Sequence, residues 1–121
     1  MKILMIEPNK GPRPRSIVND LEAMQHIVSG PIQAVYPFDE PIALVCNEEA
    51  KLTNLPPNRA LRDEDGNMYD IVCGTFFLCS APPDSENFES LTEEQMDRYT
   101  KRFQRPEIFL RVNGEIISVP V

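Results

Sequence analysis

The sequence predicts an α+β fold, a single domain in which two helices pack on a mostly antiparallel sheet built from hairpins. Three observations predict it. The chain has 121 residues, the size of one ordinary domain. Its twelve prolines divide it into short elements, most of which are apolar, β-branched segments bounded by turn residues. Only two segments show the apolar spacing of a helix that packs on a core. We therefore expect residues 1–121 to form one domain.

Composition limits what the protein can be. The chain is 41% hydrophobic and 26% charged, as is usual for a globular domain, which argues against disorder. No apolar run approaches the roughly 20 residues of a membrane span, and the opening apolar residues 3–6 are too few for a signal peptide. A net charge of -7 opposes contact with phosphate backbones. We therefore expect a cytoplasmic protein with no membrane partner and no direct binding to nucleic acid.

The N-terminal residues predict a strand, a loop, a second strand and a helix. Residues 3–6 form a strand covered on both faces, because their apolar run does not alternate, and residues 15–18 return as a short strand. Asn19 and Glu22 have the spacing of a capping box at the start of the first helix, and Gly30 ends it. The apolar side chains on one face of this helix are Leu21, Met24, Ile27 and Val28.

The middle of the chain consists of short strands. The segments rich in apolar and β-branched residues are residues 32–36, 42–46, 60–62, 68–72 and 75–79. Asp65-Gly66-Asn67 is a hairpin signal between two of these segments, and Gly74 marks a bulge before the last one. Because residues 75–79 are the most apolar of the chain, we expect them to form the central strand.

A second helix is predicted in the C-terminal third. Ser90 and Glu93 have capping-box spacing at its start, and Pro106 ends it. Its apolar stripe, formed by Met96, Tyr99 and Phe103, must be covered by other parts of a protein.

Asn113-Gly114 is the strongest hairpin signal of the chain, and residues 108–112 and 115–119 flank it as strands. An isolated hairpin is only marginally stable. We therefore expect residues 84–121, a helix plus hairpin, to dock on the remainder of the chain or on a second copy and to extend its sheet.

The cysteines and the single histidine predict no special chemistry. Three cysteines, an odd number with no C-x-x-C pair, argue against a disulfide scaffold and against a zinc site. Cys46, Cys73 and Cys79 lie among apolar neighbours, so we expect buried free thiols. His26 lies opposite the apolar stripe of the first helix and is expected to face water. No metal and no cofactor is therefore expected.

The segment of residues 47–59 is the least ordinary of the chain, because it follows a predicted buried strand and combines two prolines with polar side chains. Such loops often carry binding sites. The candidates for contact with a ligand or partner are Asn47, Glu48, Glu49, Asn58 and Arg59. A structural alternative is favoured over a binding role, because buried loops need such side chains: the two asparagines form hydrogen bonds with loop backbone, and Arg59 pairs with a nearby acid.

Several blocks of the sequence resemble one family. Asn47-Glu48-Glu49, the block Leu55-Pro56-Pro57-Asn58-Arg59 and residues 69–77 are similar to the family called domain of unknown function 3846, as are residues 21–35. The resemblance covers about residues 1–80 and leaves the tail from Asp84 outside. It implies a small protein encoded by phages and by integrated or conjugative elements of bacteria. The family has no assigned activity, so it supplies no catalytic residues.

Three functions are compatible with these features. The first is a non-enzymatic binding or interaction module of a mobile element, whose partner is an unknown protein or small ligand and which could form a homodimer. The second is an acidic counter-defence protein that imitates the charge of DNA. The third is a small-metabolite enzyme with Glu48 or Glu49 as base and Arg59 as an anchor for an anion. A pocket that encloses one of these carboxylates and raises its pKa would favour the third function. The observation that best separates the three is whether Glu48, Glu49, Asn58 and Arg59 converge on one concave surface.

Overall fold

A five-stranded antiparallel sheet forms the centre of the fold in the computed structural model, which describes residues 1–121. Two further antiparallel pairs of strands, β5–β6 and β8–β9, form sheets of their own. The elements are β1 (Lys2–Ile6), β2 (Arg13–Ser16), α1 (Leu21–Val28), β3 (Ile32–Val35), β4 (Ile42–Asn47), β5 (Pro57–Arg62), β6 (Met68–Cys73), β7 (Phe76–Ser80), α2 (Glu93–Arg102), β8 (Glu107–Val112) and β9 (Glu115–Pro120).

The central strand of the main sheet is β7, as the sequence predicts. The strand order is β2-β1-β7-β4-β3, and every residue of β7 is buried. Leu78 lies opposite Leu4 of β1 on one side and Leu44 of β4 on the other. A strand covered on both faces is apolar on both sides, which is why residues 76–79 do not alternate between apolar and polar side chains.

Each face of the main sheet is covered by a different layer. On one face, the buried side of α1 packs against alternate residues of β1, β4 and β7; this layer contains Ile3, Met24, Ile27, Val28, Val45 and Phe77. On the other face, α2 and the β5–β6 pair cover the remaining residues of the same strands; this layer contains Leu4, Leu44, Leu61, Val72, Leu78, Tyr99 and Phe103. The α+β class with two packed helices is therefore confirmed. Neither helix is long and apolar enough to cross a membrane.

Both helix caps differ from the predicted ones. Asp20, not Asn19, caps α1 and accepts a hydrogen bond from the Ala23 N–H. Thr92 and Gln95, not Ser90 and Glu93, form the capping box of α2.

The predicted cap residues are occupied elsewhere. The Asn19 amide donates to the Phe88 carbonyl, and the Ser90 hydroxyl accepts the Lys2 N–H. Both side chains therefore fasten a loop to a neighbouring segment before the helix begins. Leu21, at the first position of α1, is exposed rather than part of its buried stripe.

The C-terminal residues dock in two different ways. Helix α2 packs on the main sheet, and Tyr99 and Phe103 are buried there, as predicted. The β8–β9 hairpin forms as predicted. The prediction that it extends the main sheet is wrong, because its two strands form a separate sheet. The hairpin lies beside β5 instead, because the Glu107 carboxylate accepts hydrogen bonds from the Ala60 N–H and from the Arg62 guanidinium.

Candidate functional site

Arg59 is completely enclosed, and its side chain faces other parts of the chain rather than solvent. Its Nε and Nη2 donate to the Phe103 carbonyl at 3.2 and 3.0 Å, and Nη2 also donates to the Lys10 carbonyl at 2.7 Å. Its Nη1 donates to the carbonyl and side-chain oxygens of Asn58. An arginine has five N–H donors, so all five are used inside the protein.

The acceptors explain how a buried cation is tolerated here without a carboxylate in contact. Phe103 is the C-terminal cap of α2, where unpaired carbonyls give the helix end a partial negative charge. Burial lowers the pKa of Arg59, and the nearby Glu107 carboxylate opposes that shift. The structural alternative is therefore right about an internal role for Arg59, but its partners are carbonyls instead of an acid.

Asn58 extends the same network to the main sheet. Its Nδ2 donates to the carbonyls of Ile6 and Gly74, both at 2.9 Å. Gly74 has a φ of +76°, and a Cβ there would lie 2.8 Å from Leu55 Cδ1. The network thus joins β5 to the end of β1 and to the tight connection between β6 and β7.

Asn47 lies apart from this network, at the end of α1. Its Nδ2 donates to the carbonyls of Val28 and Ser29, and its Oδ1 accepts the Glu49 N–H. A Cβ on Gly30 would come within 2.6 Å of this amide nitrogen. Gly30 therefore provides space for Asn47, whereas the left-handed residue that ends the helix is Ser29, with φ 63°.

The five candidate residues do not meet on one concave surface. Asn58 and Arg59 are buried together, Asn47 is buried at the end of α1, and Glu48 and Glu49 are exposed. Glu48 and Asn47 line a cavity of about 170 Å³ that neither Asn58 nor Arg59 reaches.

That cavity brings together two cysteines from different sheets. Cys46 of β4 and Cys73 of β6 line it, as do Lys51 and Asp70, whose side chains form an ion pair at 2.7 Å. All three thiols are predicted to be buried. Cys79 is buried, but Cys46 and Cys73 are partly exposed. Sequence reasoning missed this grouping because neighbours across two sheets leave no spacing signal in the chain.

The surroundings of the cavity raise the pKa of both thiols. Burial raises the pKa of Cys46, the Asp70 carboxylate raises it further, and Lys51 opposes the shift. Burial also raises the pKa of Cys73, against the effect of Lys51. A nucleophilic cysteine needs a lowered pKa, so neither thiol is activated. No group of three or more His, Cys, Asp or Glu side chains is placed to hold a metal ion.

The β8–β9 hairpin presents a second, apolar surface. Cross-strand partners share one face of a sheet, and the pairing sets Ile108 opposite Val119 and Leu110 opposite Ile117. With Val112 they form what we call the outer face: Ile108, Leu110, Val112, Ile117 and Val119. Each of these side chains is between 40% and 49% exposed. The apolar residues on both sides of Asn113-Gly114 do not alternate strictly, so the sequence does not show which side of the hairpin meets the core.

The opposite face of the hairpin fastens it to the molecule. The Glu107 carboxylate accepts from the Ala60 N–H at 3.0 Å, from Arg62 at 2.7 Å and from the Ser118 hydroxyl. Burial alone would raise the pKa of Glu107, but these three donors together hold it below its usual value. Because these buried, charge-assisted contacts hold the hairpin by one face, the five aliphatic side chains of the outer face point toward solvent.

Comparison with known proteins identifies one family. The family model described as domain of unknown function (DUF3846) matches residues 1–104. The match is longer than the resemblance over about residues 1–80, because it includes α2. No curated protein and no solved structure matches the chain. The outer face lies beyond the matched residues.

Proposed function

The chain belongs to this family of domains of unknown function, and from that premise we propose that it is a non-enzymatic binding module of a phage or mobile genetic element. The genetic context is drawn from the resemblance. We further propose that the module acts in the cytoplasm, since all three cysteines are free thiols. The observation that supports a binding role is the outer face of the hairpin.

A contiguous apolar face of this kind is unusual on a monomeric domain. Scattered exposed aliphatic residues need no explanation, but large apolar patches mark interaction sites. Here five aliphatic side chains lie side by side on two paired strands, and each leaves 40% or more of its surface in water. Covering them would add to the free energy of association, since burial of apolar surface contributes roughly 25 cal/mol per Å².

The other two functions find less support. Several acidic side chains form ion pairs, such as Glu7 with Arg13 and Asp70 with Lys51, and each such pair reduces the negative charge available to imitate DNA. Arg59 uses all of its donors internally, so it has none for an anionic substrate.

Site-specific photocrosslinking tests the proposal. A photoreactive phenylalanine replaces Leu110 on the outer face, and Leu52, an exposed leucine on the loop after β4, receives the same substitution as a matched control. In bacterial cells that carry the parent element, irradiation should give a discrete adduct at position 110 and none at position 52. The adduct should disappear when Ile117→Lys is added. Equal labelling at both positions, or none at either, would contradict the proposal.

A further inference from the structure

We infer that the partner of the outer face is a second copy of this chain, with the two hairpins packed face to face and tip to base. This inference rests on the proposed function, because it names the partner of the same surface.

The outer face is complementary to itself. A two-fold interface requires the same patch on both subunits, and aliphatic side chains meet that condition without specific polar contacts. The five side chains come from three positions of β8 and two of β9, and none of them has a hydrogen-bonding group. Two such sheets pack about 10 Å apart with their side chains interdigitated.

Charge favours this part of the surface for contact between two copies. Residues 105–121 contain two bases, Arg105 and Arg111, and two acids, Glu107 and Glu115, so their net charge is zero. The net charge of -7 therefore resides entirely in residues 1–104. Because like charges repel, contact between two acidic chains is opposed less at this neutral segment than at their acidic segments.

Charge also selects the orientation of the two hairpins. Glu115 lies at the tip, opposite Val112 and on the same face. Arg105 lies at the base, where its Nε donates to the Val121 carbonyl at 3.2 Å. A tip-to-base arrangement places Glu115 of each copy near Arg105 of the other, whereas a tip-to-tip arrangement places like charges together.

The size of the face predicts a weak dimer. A strand of six residues is about 20 Å long, so a two-stranded face covers much less than the roughly 800 Å² that each partner buries in a standard interface. We therefore expect a dissociation constant of about 10–500 µM, on the scale of transient contacts.

Sedimentation equilibrium of the full chain tests the dimer. Between about 5 and 500 µM protein, the average mass should rise from 13.8 kDa toward twice that value. Leu110→Glu should stay monomeric throughout, and Ile117→Lys provides a second variant on the same face. Leu52→Glu, at an exposed loop position, should associate like the unaltered chain. A chain that is monomeric at every concentration, or a Leu110→Glu variant that dimerises normally, would overturn the inference.

Charge reversal tests the orientation. Glu115→Arg and Arg105→Glu should each weaken the dimer, by about two- to tenfold, because each brings like charges together. The double variant restores opposite charges across the interface and should regain most of the affinity. A double variant weaker than both single variants would overturn the tip-to-base arrangement.

The crosslinking experiment separates this inference from the proposed function. An adduct at position 110 with twice the mass of the chain supports both. An adduct with a different protein supports the binding role but overturns the homodimer, and the absence of any adduct contradicts both.

Discussion

At the scale of single residues, Arg59 joins three distant parts of the chain. Its guanidinium bonds the loop after β1 through Lys10, the end of α2 through Phe103, and its own neighbour Asn58. Asn58 in turn bonds the end of β1. The Phe103 carbonyl and the Asn58 side-chain oxygen are buried, so both depend on Arg59 for a donor that water cannot replace. The pair therefore contributes to the fold through hydrogen bonding more than through charge.

Arg59→Ala should lower the free energy of unfolding by about 3–5 kcal/mol, because it leaves several buried acceptors without a donor. Arg59→Lys should recover only part of this loss, since an ammonium cannot donate in five directions. Urea unfolding measures the difference. Arg111→Ala, at an exposed position of β8, is the matched control and should change stability by less than about 0.5 kcal/mol. An Arg59→Ala variant as stable as this control would contradict the structural role.

The three thiols should differ in reactivity. Burial raises the pKa of Cys79 to about 12, so at pH 8 almost none of it is thiolate, the reactive form. Cys46 and Cys73 are partly exposed and should react slowly with iodoacetamide. Peptide mass spectrometry of native protein should find Cys79 unmodified, and addition of urea should make all three react. Rapid labelling of native Cys79 would show that β7 is not buried as described.

At the scale of elements, the attachment of the C-terminal hairpin depends on one ionised side chain. The Glu107 carboxylate fastens β8 to β5 through Ala60 and Arg62. Because its folded pKa lies below the usual value, its contribution to stability is fully present above the unfolded pKa. It is lost as the pH falls through the folded pKa.

Comparison of the unaltered chain with Glu107→Gln isolates this contribution. At pH 7 the unaltered chain should be the more stable of the two, because the carboxylate binds a cation and two further donors. The difference should shrink as the pH falls below about 4.5, the ordinary pKa that the carboxyl has in the unfolded chain, and it should be lost as the pH falls through the lower pKa of the folded chain. Thermal melts at a series of pH values measure it. A difference that stays constant down to pH 3 would rule out titration of Glu107 as the cause.

The elements also show how far sequence reasoning reaches. Local signals were sufficient for the central strand β7, for the Asn113-Gly114 hairpin and for the stripe of α2, since each depends on residues close in the chain. The caps were displaced by one or two positions, because Asn19 and Ser90 were used in long-range contacts. The roles of Arg59 and of the hairpin depended on partners more than 40 residues away. No local pattern specifies such partners.

At the scale of the whole molecule, one core depends on residues from both ends of the chain. Helix α2 covers one face of the main sheet and supplies the Phe103 carbonyl to Arg59. The family match likewise extends through α2. The hairpin, by contrast, contributes only Glu107 to the buried residues. The chain therefore divides, in energetic terms, after residue 104 and not after residue 80.

Truncation tests this division. A fragment of residues 1–80 lacks Leu91, Tyr99 and Phe103, which are 3–5% exposed in the core. Burial of each contributes roughly 1.5–3 kcal/mol, a total comparable with the about 5–15 kcal/mol that stabilises a typical domain. We therefore expect this fragment to unfold or aggregate.

A fragment of residues 1–104 keeps these side chains and Phe103 as the acceptor for Arg59, and it should unfold cooperatively in urea, with lower stability than the full chain. A soluble, cooperatively unfolding 1–80 fragment, or a 1–104 fragment without tertiary structure by near-ultraviolet circular dichroism, would show that the core is divided differently.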